Sequence, residues 1–360
     1  MPTVEIDSEE ESNWAYDGKR FRSYRFTDTI ECEIRALNRL DNWHGIAGYL
    51  GDLFTIAAAV ALCIFGSWWF YPASLVVIGS RQRAFSNMLH ESAHGMLAAN
   101  RKLNLALGSF LTAYPVFQQH YAFKRTHVAT HHPRLGDPER DPDLKFFIEQ
   151  GVYDISSECQ LWIRLVTLPA LGSRIISHFS FLLKDRVLLN RRRKYEEAVE
   201  FNSHWRKRMQ RDKICFTLFW LLIVGVAWMT HCLLGVVVFW VVPYMTTFQL
   251  IGWYIELSEH TPMVRLHNVD LYMTRNRKSR GLEKFLTGTY ADHYHLDHHL
   301  DPRTPYWNLR KAHQFRMKDP EYALLDRSFG GLFTAGPDGQ PSAVASIIRE
   351  LAASNGRPTS

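Results

Sequence analysis

The sequence predicts an all-α integral membrane protein. Four transmembrane helices form two hairpins, and these carry a cytoplasmic helical cap that holds a histidine-rich site. Three observations predict it. Two long apolar blocks, at 44–80 and 214–255, are each about the length of two spans. Lys and Arg are absent from the turns inside both blocks. Eight of the 17 histidines fall in three close-spaced clusters outside the blocks. Averages conceal this: of 360 residues, 46% are hydrophobic and 22% charged, and mean hydropathy is −0.20, as in an ordinary soluble chain. Those values exclude a disordered, collagen-like or disulfide-rich protein.

The elements follow in chain order. Residues 1–43 form a cytoplasmic segment. Met1 to Glu11 is acidic and polar, without the basic and apolar regions of a signal peptide, and Thr27 to Trp43 reads as an amphipathic helix. The first apolar block, His44 to Ser80, contains one charge, Asp52; the second, Ile214 to Ile255, runs 42 residues with none. Turns fall at Gly66-Ser67-Trp68-Trp69 and Met229-Thr230-His231-Cys232, with Trp68, Trp69, Tyr71 and Trp228 suited to the membrane interface. A buried helix pair in a soluble protein is the competing reading, and a charge-free run of that length argues against it.

Charge gives the orientation. Lys and Arg number 6 before the first block, 22 between Arg81 and Lys213, and 14 after the second. The positive-inside rule then places both termini and the middle segment in the cytoplasm, with the cell inner membrane as location. The net charge of +6 is explained by this topology, so nucleic acid is not expected as a partner. A membrane domain spans 44–334, with hairpins at about 44–88 and 214–255 and the cap at 89–213 and 256–334. A partly mobile tail occupies 335–360. Leu161 to Leu183 is apolar but contains Arg164, Arg174 and His178, with Pro169 and Gly172 inside it; it reads as helices lying on the membrane surface. The run Arg191-Arg192-Arg193-Lys194 is a solvated or lipid-facing basic face. Five scattered cysteines without a C-x-x-C pair read as free thiols in a reducing compartment.

The histidine clusters carry the chemistry. His90 and His94 form H-x-x-x-H, His127, His131 and His132 form H-x-x-x-H-H, and His295, His298 and His299 form H-x-x-H-H. At this histidine frequency each triple is expected about 0.04 times by chance. Residues i and i+4 share a helix face, so His90 and His94 can converge on one ion. The adjacent His131 and His132 point about 100° apart and can serve two ions. His260 follows the second block by five residues and reaches the same face if the helix continues. Imidazole suits zinc, copper, iron and nickel alike. Four ligands satisfy structural zinc, so nine histidines suit two ions with open positions.

Glu91, Asp137, Asp141, Asp143, Glu259, Asp292 and Asp297 are candidates to hold the outward ring nitrogens. Asp137-Pro138 and Asp141-Pro142 read equally well as turns or helix caps. His120, His293 and His313 lie near the clusters and stay open. His44, His178, His204, His231 and His267 read as surface or interfacial. Tyr114, Trp253 and Tyr254 read as core packing more than as walls of a substrate tunnel.

These clusters, with Arg81-Gln82 before the first, Phe123-Lys124-Arg125-Thr126 before the second, Asp141-Pro142-Asp143-Leu144 after it, and Tyr294 through Asn308 around the third, resemble the membrane fatty acid desaturase and hydroxylase superfamily. The likeness spans roughly 45–315. It implies two iron ions held by His90, His94, His127, His131, His132, His260, His295, His298 and His299, with Glu91, Asp141, Asp143, Asp297 and His293 supporting them. It also implies O2 as co-substrate and a lipid or fatty acyl substrate whose unactivated carbon loses hydrogen. Asp297 stands where that family commonly has Glu. No cytochrome-like segment is fused, so the resemblance implies a separate electron donor such as ferredoxin or rubredoxin, docked on the basic face. Desaturation is the first expectation. Hydroxylation and oxidative decarboxylation to a terminal alkene are alternatives, and a membrane metal-transport protein is the reading from another class.

Overall fold

The computed structural model describes residues 15–16, 19–175 and 203–355. The acidic stretch Met1 to Glu11, His178 and the basic run Arg191 to Lys194 lie outside them. Apart from a two-residue antiparallel pairing of Ala15–Tyr16 with Lys19–Arg20 and one isolated bridge, from Arg22 to Val269, the described residues form helices and connections.

Both expected turns are present. Helix His44–Ala61 runs on as a π-helical turn, Leu62–Gly66. Ser67 then extends the backbone, and its hydroxyl accepts the Trp69 N–H. Helix Tyr71–His94 returns, with Pro72 in its first turn, where a missing N–H costs nothing. It ends at Gly95, whose φ of +83° suits a residue without a Cβ. The second hairpin rises through Ser203–Met229, turns at Thr230 to Cys232 with His231 left-handed, and returns through a helical run from Leu233 to Leu266.

Among the described residues, three helices are long and apolar enough to cross a membrane: His44–Gly66, Trp205–Met229 and Leu233–Leu266. Helix Tyr71–His94 has the length, at 24 residues, but carries Arg81 and Arg83. The structure encloses it: Ile78, Met88 and Leu89 are fully buried, whereas Leu222 (64%) and Trp228 (71%) stand exposed. A helix wrapped by neighbours needs no apolar outer surface, so hydropathy alone understates it.

The helices pack closely. A Cβ on Gly79 would lie 2.1 Å from Thr247 Oγ1 and 2.7 Å from the Phe248 backbone nitrogen, so glycine permits this crossing. Polar groups bridge the same helices, as Tyr71 OH donates to Val238 O and Gln82 Nε2 to Trp240 O, each at 2.8 Å. The one charge of the first block, Asp52, accepts from Arg81 Nη1 at 3.2 Å and from Tyr290 OH.

Two expectations are corrected. The N-terminal helix covers only Asp28–Ala36, because the Asp41 carboxylate accepts the Trp43 and His44 N–H groups and starts the next helix there. The C-terminal tail contains helix Ala343–Asn355. Its Val344, Ile347, Ile348 and Leu351 are buried in the largest apolar cluster, with Phe147, Trp253 and Leu257. Apolar residues at helical spacing need a core, and the expected mobility does not extend to them. Tyr114, Trp253 and Tyr254 are buried in the core, as read from the sequence.

Candidate metal centre

Four helix ends deliver the nine histidines. His90 and His94 occupy the last turn of helix Tyr71–His94. His127 and His131 bound a π-helical turn, and His132 follows it. His260 ends helix Gln249–His260, and helix His295–Leu300 supplies the other three.

The rings sort into two groups. His90, His94, His127, His132 and His298 place ligand-capable nitrogens within 4.8 Å of one another, and so do His131, His260 and His299. His295 joins the second group, its Nε2 lying 3.0 Å from His260 Nε2. In an α-helix His127 and His131 would share a face. The π-turn advances five residues instead, so His127 and His132 meet, with Nε2 atoms 3.1 Å apart, while His131 turns to the second group. His132 Nε2 also lies 3.2 Å from His298 Nε2.

Four outward nitrogens face oxygen acceptors. His131 Nδ1 donates to Asp141 at 2.8 Å and lies 3.3 Å from Asp143. His260 Nδ1 faces the Met273 carbonyl at 3.2 Å. Each of two further rings places Nδ1 3.5 Å from a carboxylate, His90 from Glu91 and His295 from Glu259. These contacts turn Nε2 inward, the usual way a protein fixes the tautomer of a metal-binding imidazole. Among the described residues, the Nε2 atoms of His90, His94, His131 and His299 are buried without a hydrogen-bond partner.

Electrostatics agree. Burial, and then the neighbouring rings, hold His94, His127, His132, His295, His298 and His299 well below the ordinary imidazole value, so they are neutral donors. His131 is different: burial opposes its protonation, yet Asp141 and Asp143 outweigh it and push the ring up to about 9. Orphaned inward nitrogens, Nε2 pairs about 3 Å apart and neutral rings fit two ions with nitrogen-rich coordination, iron included.

The supporting residues divide. Asp141 has both roles read for it, partner of His131 and cap of helix Pro142–Glu149. Asp137 is a turn residue, accepting the N–H groups of Glu139 and Arg140. Asp297 is a correction. Its carboxylate points away from the rings, to Arg316 Nη1 at 2.6 Å, Tyr322 OH at 2.7 Å and Asn276 Nδ2 at 2.9 Å, because buried cationic and hydroxyl donors compensate it there. His293 is buried, with its ring against Tyr294, and joins neither histidine group. His120 Nε2 meets Ser92 Oγ at 3.0 Å, and His313 Nδ1 meets Tyr322 OH at 2.8 Å. His44 stacks against both Trp43 and Trp307, and His231 and His267 are exposed.

Sequence reasoning missed the buried arginines. Arg277, with no exposed side chain, joins Asp292 at 2.5 Å and Glu259 at 3.4 Å. Glu259, Asp292 and His295 form a further group of potential ligand atoms, as do His127, His131 and Asp143. Nothing local in the sequence marks Arg275 and Arg277 as buried, so only the tertiary structure reveals this role. A small pocket beside the rings is lined by Asn87, His90, Tyr290, Tyr294, His295 and His298, among others. Its Tyr290 and Ala291 are left-handed, with φ of 53° and 57°, and such strain clusters at functional sites.

Comparison with known proteins gives two findings. The family model described as fatty acid desaturase matches residues 66–330. The chain is 39% identical over 334 residues to the dihydrorhizobitoxine desaturase of Bradyrhizobium elkanii, covering 93% of this chain and 92% of that protein.

Proposed function

The chain belongs to the fatty acid desaturase family and is an oxidoreductase, and on that premise we propose that it is an O2-dependent di-iron desaturase acting on the aliphatic chain of a membrane-partitioned substrate. His90, His94, His127, His132 and His298 would hold one iron; His131, His260, His295 and His299 would hold the other. The observation that carries this reading is the convergence of nine imidazole rings into two groups, with four of their Nε2 atoms buried and without a partner among the described residues. Iron bound there would supply O2 activation and the removal of hydrogen from an unactivated carbon.

The chain's own residues do the rest. Asp141 keeps the His131 proton on Nδ1 and leaves Nε2 free. Glu91, Glu259 and the Met273 carbonyl orient three further rings. Arg277 neutralises Glu259 and Asp292 beside the second group, which keeps buried carboxylate charge from accumulating there. The small pocket lined by Tyr290 and Tyr294 opens beside the rings, and the reacting carbons would enter by widening it. Two hydrogens leave a CH2–CH2 unit, and O2 takes four electrons to become two waters. Two electrons come from the carbon–carbon unit with its two hydrogens, and two from a separate donor protein, docked on the basic cytoplasmic face, with two protons from solvent. Helix Tyr71–His94 is the fourth span, and all nine histidines then lie on the cytoplasmic side.

The substrate has two readings. The family match favours a fatty acyl chain, and the named relative favours dihydrorhizobitoxine. Membranes containing the protein, supplied with O2, reduced ferredoxin and either palmitate or dihydrorhizobitoxine, are assayed by mass spectrometry. The expected product has lost two hydrogens, and purified protein carries two irons per chain. A product that gained one oxygen would establish hydroxylation, and volatile alkene with CO2 would establish decarboxylation. Zinc without turnover would overturn the oxidase reading.

A further inference from the structure

The pocket beside the rings is closed. It holds about 10 Å³, no more than one water, and an alkyl chain needs far more. A lining side chain must therefore move before carbon reaches the histidines. Most of the lining is pinned. Asn87 Nδ2 donates to Thr289 O at 3.1 Å and to its Oγ1 at 3.0 Å. Glu91 accepts the Tyr306 N–H at 3.1 Å, and Asp292 is paired with Arg277. Leu309 is buried in its helix, and Tyr294 packs against His293 and His313. Tyr290, half-buried, is the side chain left to move.

Tyr290 joins that pocket to the first span. Its hydroxyl donates to Asp52 at 2.5 Å. Its ring fills a notch at Gly48, where a Cβ would lie 2.7 Å from Tyr290 Cε1. The Tyr306 ring meets it edge-on, with centroids 4.9 Å apart. The backbone leading to it is anchored twice, since Phe285 O accepts from Arg81 and Thr289 O from Asn87. A fixed backbone leaves the ring as the moving part. When the hydroxyl lets go, Asp52 keeps Arg81 Nη1 at 3.2 Å, so no buried carboxylate is stranded. The first span exposes Leu50 (56%) and Phe54 (76%), and helix Gly281–Thr287, which leads to Tyr290, exposes Leu282 (71%) and Phe285 (42%). Surfaces that face a bilayer expose apolar side chains in this way.

We propose that the Tyr290 ring is the gate through which an alkyl chain passes from the bilayer to the histidine centre, seated on Gly48 and held shut by Asp52. Swinging the ring off Asp52 opens a way between the first span and segment 285–291. The ring also sets the bore of that way, and with it the bulk of chain admitted. This gate rests on the reading that the substrate's aliphatic chain reaches the rings from the membrane. Chain entry can be measured without turnover, which keeps the two apart.

Iron-loaded protein in phospholipid nanodiscs is irradiated with palmitate carrying a mid-chain diazirine, and labelled peptides are identified by mass spectrometry. Variants are compared at equal iron content. Tyr290→Phe keeps the ring and loses the bond to Asp52. It should raise labelling of Asn87 and Leu309 about two- to tenfold, the change that one net hydrogen bond makes to an open–closed equilibrium. Tyr290→Ala removes the ring and should raise it further. Unchanged palmitate labelling in both variants overturns the proposal. An equal gain from diazirine-bearing butyrate, which stays in water, reports a loosened cap and overturns it as well. Turnover is measured separately on the same samples. The expected labelling without any oxidised acyl product leaves the gate standing and overturns the desaturase reading. Product formation with unchanged labelling overturns the gate alone.

Discussion

Replacing Asp141 by Asn isolates what one carboxylate does for the metal centre. Asp141 Oδ1 accepts from His131 Nδ1 at 2.8 Å and from the Asp143 N–H at 3.0 Å, while Oδ2 accepts the Gly136 N–H at 2.9 Å. Asn is an equally good helix cap, so the helix start survives. An amide has only one acceptor oxygen, however, and all three partners donate. Whichever way the amide turns, at least one buried N–H faces another donor, at a cost of about 1–3 kcal/mol. The charge-assisted bond to His131 is lost as well. Loss of a carboxylate that holds a metal-binding imidazole costs about 10–100-fold in metal affinity, equivalent to about 1.4–2.8 kcal/mol at 1.4 kcal/mol per decade, which is the same range. The expected result is iron released at 10–100-fold lower chelator concentration, with turnover falling in parallel and membrane insertion unchanged. Chelator titration of purified protein followed by iron analysis measures it. Retention of both irons within twofold of the unaltered protein would refute the argument that Asp141 holds His131.

Three further outcomes follow from the same geometry. His131→Ala and His298→Ala remove donors from different groups, so each should abolish turnover and lower iron from two toward one per chain; metal analysis checks it, and two irons in either variant contradicts the grouping. Arg316→Met leaves Asp297 buried beside only neutral donors and a partial His313 charge, so the midpoint of thermal unfolding should drop, by about 3–5 kcal/mol in stability, although Arg316 touches no histidine of the centre. His313 is raised above its ordinary 6.5 because Asp297 and Asp326 outweigh its burial. Its contribution is complete below pH 6.5 and lost as pH rises through the folded value. The stability gap between unaltered protein and His313→Gln should therefore narrow with rising pH in denaturant titrations, and a gap that widens would count against the ion pair.

Much of the fold was legible because its signals are local. A charge-free run of 42 residues and aromatic residues at its turns need no partner to be read. Helix Tyr71–His94 was harder: Arg81 and Arg83 weaken its apolar signal, and the groups that meet them, Asp52 and Glu256, lie far away in sequence. Helix Ala343–Asn355 was lost in a tail of small residues, and its burial against Trp253 and Phe147 depends on a distant surface. Asp297 shows the opposite limit. Its place inside the third cluster pointed to the metal, but Arg316 and Tyr322, which draw it away, are separated from it by 19 and 25 residues.

By itself the sequence marked out a candidate donor set. Nine histidines at helical spacings follow two apolar hairpins, because ligand chemistry and membrane burial both act through residue type and short-range period. Tertiary structure alone decided how those nine divide. An α-helix would have paired His127 with His131, and the π-turn pairs it with His132 instead. Four of the rings meet oxygen acceptors, among them Asp141, Glu259 and the Met273 carbonyl. Helical phase and long-range acceptors arise only when the chain packs.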